Sequence, residues 1–105
     1  MTILTHCVIL YVMILSFRCK ETEELFCREY SKKLPQDIQR IALRKLLIID
    51  AATDISDLRV PPGNRLELLT GDRKGQYSIR VNQKYRICFK WDKGNVFEVE
   101  IVDYH

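Results

Sequence analysis

The 105-residue chain closes on Asp103, Tyr104 and His105, which places a carboxylate, a phenol and an imidazole in three consecutive positions. Imidazole titrates near neutrality, so His105 can pass a proton in either direction at physiological pH. The phenol of Tyr104 can bond a phosphate oxygen. Residues 72–91 carry six basic side chains, Arg73, Lys74, Arg80, Lys84, Arg86 and Lys90, against the single acid Asp72. The chain as a whole has 17 basic and 14 acidic residues, a formal charge of +3, so the positive field is concentrated in that stretch. Cations beside an acid/base group are the parts for RNA cleavage without a metal. A base withdraws the 2′-hydroxyl proton, the oxygen attacks the adjacent phosphorus, cations stabilise the growing charge, and an acid protonates the departing 5′ oxygen. A solvated basic face without a partner, and a terminal His that simply frays, are the plainer readings these residues leave open.

Strands must hold the cations. Tyr77, Ile79 and Val81 alternate with Gln76, Ser78 and Arg80, and Tyr85, Ile87, Phe89 and Trp91 alternate with Lys84, Arg86, Cys88 and Lys90. Period 2 predicts two half-buried strands. If both apolar sets face one core, opposed residues have numbers of equal parity, which requires a loop of odd length such as 82–84. Arg80 then lies opposite Arg86, and like charges so placed repel unless an anion sits between them, a phosphate-site signature on the face away from the core. The same rule, applied across a turn at Asp92, Lys93, Gly94 and Asn95, sets Lys90 near Glu98 and Arg86 near Val102. The end of the chain thus arrives beside the arginines.

Upstream, Ile14 to Cys19 reads as a first strand. Leu25, Phe26, Tyr30 and Leu34 recur at helical spacing after the acidic turn Glu21, Glu23 and Glu24, predicting a helix over Lys20 to Lys33. Pro35 opens a second helix, with Ile38, Ile41, Ala42, Leu46 and Ile49 as its apolar stripe, running to about Ala52. Residues 54–64 form a loop, Leu66 to Leu69 a strand, and Val96 to Val102 the last one. The expected class is α+β: an N-terminal strand, two helices, then a mainly antiparallel four-strand segment. With 47% hydrophobic and 30% charged residues, the chain is one folded domain and neither disordered nor fibrous. Four scattered cysteines without a C-x-x-C pair, and only His6 and His105 to join them, predict no metal site and free thiols in a reducing compartment. The nine-residue apolar run Cys7 to Leu15 is too short to span a bilayer, and no membrane association is expected. We read Met1 to Val12 as an extension from an upstream start codon, with Met13 as the natural start and 13–105 as the domain.

Phe17-Arg18, Glu21-Thr22, Leu25-Phe26, Pro61-Pro62-Gly63-Asn64-Arg65-Leu66-Glu67, Gly71-Asp72-Arg73, Gly75-Gln76-Tyr77-Ser78-Ile79-Arg80, Tyr85-Arg86-Ile87-Cys88-Phe89 and Val99 to His105 recur in order and spacing in one family. From Met13 to His105 the chain resembles HigB-type toxins of the RelE/ParE superfamily. The resemblance implies a RelE-like β-α-α-β-β-β-β fold and a ribosome-dependent mRNA endoribonuclease, the toxin half of a type II toxin-antitoxin pair, acting in the cytoplasm without a cofactor. It implies that Asp103, Tyr104 and His105 are catalytic, with Arg73 and Arg86 on the phosphate. Arg80, Lys84, Lys74 and Lys90 are the further RNA-binding candidates. Glu67 and Thr70 stand where some members have His and Lys, so Glu67 becomes a possible acid or base, and the lower cation count implies a moderate toxin. The implied partners are a HigA-like helix-turn-helix antitoxin, through which alone promoter DNA is bound, and the ribosome with its mRNA. Two other functions fit a related scaffold: a ParE-like DNA gyrase poison, whose members lack the Asp-Tyr-His ending, and a catalytically inert antitoxin-binding module.

Overall fold

The alternating segments pair as parity requires. In the computed structural model, which describes residues 14–27 and 34–103, β1 (Glu67–Leu68), β2 (Tyr77–Arg80), β3 (Tyr85–Asp92) and β4 (Asn95–Asp103) form one antiparallel sheet in that order. Ile79 lies opposite Ile87 and Arg80 opposite Arg86, and the Val81 amide donates to the Tyr85 carbonyl at 2.9 Å. That leaves the three-residue loop 82–84, organised by the Asn82 carboxamide oxygen, which accepts from the amides of Lys84 (2.8 Å) and Tyr85 (2.7 Å). The β3–β4 turn is tighter. Lys93 (φ 51°) and Gly94 (φ 86°) both adopt positive φ between the paired Asp92 and Asn95, the type I′ geometry whose twist matches that of flanking strands.

Parity fails at one place. Cys88 faces Glu100, but Lys90 faces Phe97, so Phe89 is opposed by two residues, Glu98 and Val99. This is a β-bulge, and Glu98 takes the left-handed conformation at φ 53°. Lys90 therefore has Phe97 as its ladder partner instead of the expected Glu98, although the Lys90 ammonium still meets the Glu98 carboxylate at 3.5 Å. Because of the extra residue, Val96 and Val99, three positions apart, both point into the core and are fully buried.

The bulge also decides how the N-terminal segment docks. Ile14 and Phe17 bridge Val96 and Val99 in parallel, with the Leu15 amide on the Val96 carbonyl (2.7 Å) and the Arg18 amide on the Val99 carbonyl (2.9 Å). Ser16 answers the bulge by accepting the Glu98 amide on its hydroxyl at 2.9 Å. The expected first strand is thus two isolated bridges along the outer side of β4. A regular ladder cannot run past a bulged neighbour.

Helix α1 (Lys20–Phe26) follows at once and closes on Cys27 as its C-cap, short of the expected Lys33; residues 28–33 lie outside the described residues. Thr22, buried under it, accepts the Ile101 amide on its hydroxyl at 3.0 Å and so ties α1 to β4. Helix α2 (Gln36–Ala51) begins after Pro35 and buries Ile38, Ala42, Leu46 and Ile49, with Ile41 partly buried beside them. This stripe packs with Ile79, Ile87, Phe89, Val96, Val99 and Ile101 into one core, which leaves the opposite sheet face to the charged residues. Among the described residues, no helix is long and apolar enough to cross a membrane. Of the described cysteines, Cys19 and Cys88 are free thiols as expected, whereas Cys27 is disulfide-bonded.

The loop between α2 and β1 hangs on a buried amide. Asn64 is fully buried; its nitrogen donates to the carbonyls of Leu58 (3.2 Å) and Val60 (3.3 Å), and its oxygen accepts from the Lys45 ammonium on α2. Truncation would leave two carbonyls and an ammonium without partners. We expect Asn64→Ala to lower stability by about 1–3 kcal/mol, the cost of orphaned buried polar groups, with the denaturant midpoint falling at unchanged slope.

Candidate active site

On the face turned away from the core, strand alternation sets Ser78, Cys88 and Glu100 in one row across β2, β3 and β4, with Arg80, Arg86 and Val102 in the next. Ser78 and Cys88 are fully buried although they lie on the outer face, because arginines cover them.

Arg86 lies down across the sheet towards β1. Its Nε donates to the Ser78 hydroxyl at 2.8 Å, one terminal nitrogen donates to the Arg65 carbonyl at 2.8 Å, and the same nitrogen is 3.5 Å from the Glu67 carboxylate. The side chain is only 12% exposed, so these acceptors replace the water that a guanidinium would otherwise keep. The Arg65 carbonyl reaches Arg86 because Arg65 sits at φ 47° directly after the turn Pro62–Asn64, a conformation that costs a non-glycine residue about 1–2 kcal/mol.

Arg73 comes from the opposite direction. The short turn Gly71–Arg73 directs its guanidinium onto the Gln76 side-chain oxygen at 3.1 Å and onto Glu100 at 3.3 Å. Glu100 also has Arg18 at 3.9 Å. Arg73 and Arg86 therefore reach the two register partners of Cys88, Glu100 on one side and Ser78 on the other. The Cys88 thiol is held above its ordinary pKa, first by burial and further by Glu100 and Glu67, while Arg73 and Arg86 pull the other way. Four charges thus converge on one buried sulfur.

The remaining predicted cations are arranged differently. Arg80 opposes Arg86 in register, but its Nε donates to the Asn82 carbonyl at 3.0 Å, so each arginine of the pair takes protein acceptors of its own. Lys84 pairs with Asp103 at 3.6 Å and lies over the Tyr85 ring at 5.6 Å, which fastens the end of β4 to the start of β3. Lys90 pairs with Glu98, and Lys74 is exposed beyond the turn. Tyr104 and His105 lie outside the described residues; Val102, which leads to them, faces Arg86 as expected.

Sequence reasoning missed Gln76, Ser78, Glu100, Arg18 and the Arg65 carbonyl. Ser78 and Glu100 had a signal, since they share outward parity with Arg86 and oppose Cys88. The Arg65 carbonyl had none, because its direction follows from a single φ angle.

Two helices against a four-stranded antiparallel sheet make an α+β fold consistent with RelE-like toxins. Residues 15–105 match the family described as RelE-like toxin of type II toxin-antitoxin system HigB, and the chain belongs to that family. It is similar to Toxin HigB-1 of Vibrio cholerae, with 47% identity over 83 residues, 78% of this chain and 87% of that protein. It is also similar to Endoribonuclease HigB of Proteus vulgaris, with 38% identity over 94 residues, 89% of this chain and 100% of that protein.

Burial and the raised pKa make a clear prediction for Cys88. The thiolate is the nucleophile, so at pH 7–8 iodoacetamide should modify Cys88 far more slowly than Cys19 in the folded protein, and at a similar rate after denaturation. Peptide mapping by mass spectrometry reads both sites at once.

Proposed function

We propose that this protein is a ribosome-dependent mRNA endoribonuclease that arrests translation as the toxin of its pair, and that it cleaves by 2′-hydroxyl attack without a metal. The observation that supports this most is the fixed placement of Arg73 and Arg86 about Cys88, within a family whose Proteus vulgaris relative is named an endoribonuclease. Donors already held in place stabilise a developing charge without reorganising at the moment of reaction. In this reading the scissile phosphate lies over Cys88. The 2′ oxygen–phosphorus bond forms as the bond to the 5′ oxygen breaks, and the two guanidiniums take up the charge of the five-coordinate phosphorus. His105 exchanges the proton with the nucleophile or leaving group, Tyr104 bonds a phosphate oxygen, and Asp103, paired with Lys84, completes the catalytic set. Arg80, Lys74, Lys84 and Lys90 attract the RNA backbone. Glu67, beside Arg86, is the candidate for a second acid or base.

A helix-turn-helix antitoxin of the HigA kind is the proposed partner, and it supplies the promoter contacts, because a major groove admits a helix or a two-stranded ribbon and not the face of a sheet. Translating ribosomes place the action in the cytoplasm.

Purified variants on ribosomes programmed with mRNA test the chemistry. His105→Ala and Arg86→Ala should each slow cleavage by about 10²- to 10⁴-fold, the usual contribution of one acid/base or charge-stabilising group. The parent should leave 2′,3′-cyclic phosphate ends, and 3′-hydroxyl ends would rule out 2′-hydroxyl attack. Relaxed plasmid accumulating with gyrase while mRNA stays intact would favour the gyrase poison, and tight antitoxin binding without any cleavage would favour the inert module.

A further inference from the structure

We infer that Arg18 and Arg73 together form a second phosphate subsite, which holds the RNA backbone beside the scissile linkage, and that Glu100 is the positioning residue that sets the two guanidiniums side by side; the inference rests on the nuclease reading above.

The two arginines come from segments far apart in sequence and meet on a single atom. Arg18 Nε is 3.9 Å and Arg73 Nη1 3.3 Å from the same oxygen, Oε1 of Glu100. One carboxylate cannot neutralise two guanidiniums, so the cluster keeps a net positive charge at the rim of the charged face. Arg18 is also rigidly based. Its amide is bonded to the Val99 carbonyl at 2.9 Å, Ser16 before it grips the bulge, and Thr22 after it binds the Ile101 amide at 3.0 Å. From that base the Arg18 side chain is 53% exposed, whereas Arg73 is 31% exposed and Arg86 only 12%. Exposure thus rises steadily from Arg86 to Arg18.

A structural role explains little of this. An exposed ion pair at this distance contributes about 0–1 kcal/mol, too little to account for a cation carried out to the rim. What the arrangement does provide is a line across the strands: the Arg65 side by β1, Arg86 over β2, Arg73 at β4, and Arg18 on the segment beyond β4. At a strand spacing of about 4.8 Å this line covers roughly 20 Å, the reach of several nucleotides of single-stranded RNA. A backbone laid along it crosses the strands, with one phosphate over Cys88 between Arg86 and Arg73 and the next between Arg73 and Arg18, so that Arg73 is shared by the two. Glu100 acts through the arginines and touches no reacting atom, so it keeps Arg73 aimed at the phosphate while lowering the general attraction for polyanions.

The test uses the full chain. Binding of a single-stranded, 2′-O-methyl RNA oligonucleotide, which cannot be cleaved by 2′-hydroxyl attack, is followed by fluorescence anisotropy from 50 to 200 mM KCl. Arg18→Ala should weaken binding several-fold and flatten the plot of log K against log[KCl] by about 0.7, the value for one lost phosphate contact on a single strand. Arg18→Lys should restore most of the slope. Arg40→Ala, which removes the same charge from an exposed position on α2, should leave the slope as in the parent. In ribosome cleavage assays Arg18→Ala should raise KM with kcat held within about twofold, the pattern of lost uniform binding. Glu100→Gln should instead lower kcat about tenfold without raising KM, since Arg73 loses its aim while the charge for RNA grows.

An Arg18→Ala slope equal to that of Arg40→Ala, or no binding of the oligonucleotide by the parent at 50 mM KCl, overturns the subsite. A Glu100→Gln variant with parental kcat overturns the positioning role. A parent that binds the oligonucleotide with the Arg18-dependent slope but cleaves nothing on ribosomes defeats the nuclease reading and leaves the phosphate subsite standing.

Discussion

A guanidinium that is nearly buried on a sheet surface must find every partner within the protein, and Arg86 imposes that requirement on everything around it. A bare apolar neighbour would leave donors orphaned at a cost of several kcal/mol. Ser78 supplies an acceptor from the adjacent strand, Glu67 a countercharge from the edge strand, and the Arg65 carbonyl the third contact. The last of these draws in the rest of the fold. The Arg65 carbonyl is available because the preceding turn is fixed by Asn64, which reaches through Lys45 to α2. An α-helix on the core side of the molecule thus helps to aim a cation on the other side.

Arg73 and Glu100 repeat the arrangement with a looser tie. Both of its acceptors are side chains, and Arg18 shares one of them, so this half of the face is held by charge where the Arg86 half is held by a hydroxyl and a carbonyl. The buried Cys88 between the halves adds no charge of its own, because its environment keeps the thiol protonated. A neutral floor between two fixed cations leaves their field directed outward, towards a polyanion. Lys84 with Asp103 and Lys90 with Glu98 are exposed ion pairs by comparison, screened by solvent and open to exchange for a phosphate.

The Glu67 carboxylate sits 3.5 Å from the terminal nitrogen of Arg86. It moderates the one cation that is most deeply placed, which accords with a lower positive charge at that end of the site. The cation line is correspondingly stronger towards β4 and Arg18, so the polarity of the face runs along the strand order.

Much of this was legible in the chain itself. Period-2 alternation over 76–91 established the two central strands and the odd loop 82–84, and parity alone set Arg80 against Arg86 and Arg86 against Val102, because side-chain direction in a strand is strictly binary. The stripe from Ile38 to Ile49 established α2 for the equally local reason that 3.6-residue spacing puts those positions on one side. The bulge at Glu98 broke the parity rule and turned the first strand into two bridges, since an inserted residue is favoured by a partner, the Ser16 hydroxyl, that lies 82 positions away. The convergence of Arg73 and Arg18 on Glu100, and of Arg86 on the Arg65 carbonyl, was likewise settled only by tertiary structure. Charge pattern reports which residues can attract a phosphate, whereas the direction in which a long guanidinium points depends on acceptors brought beside it from distant parts of the chain, and no local periodicity encodes those.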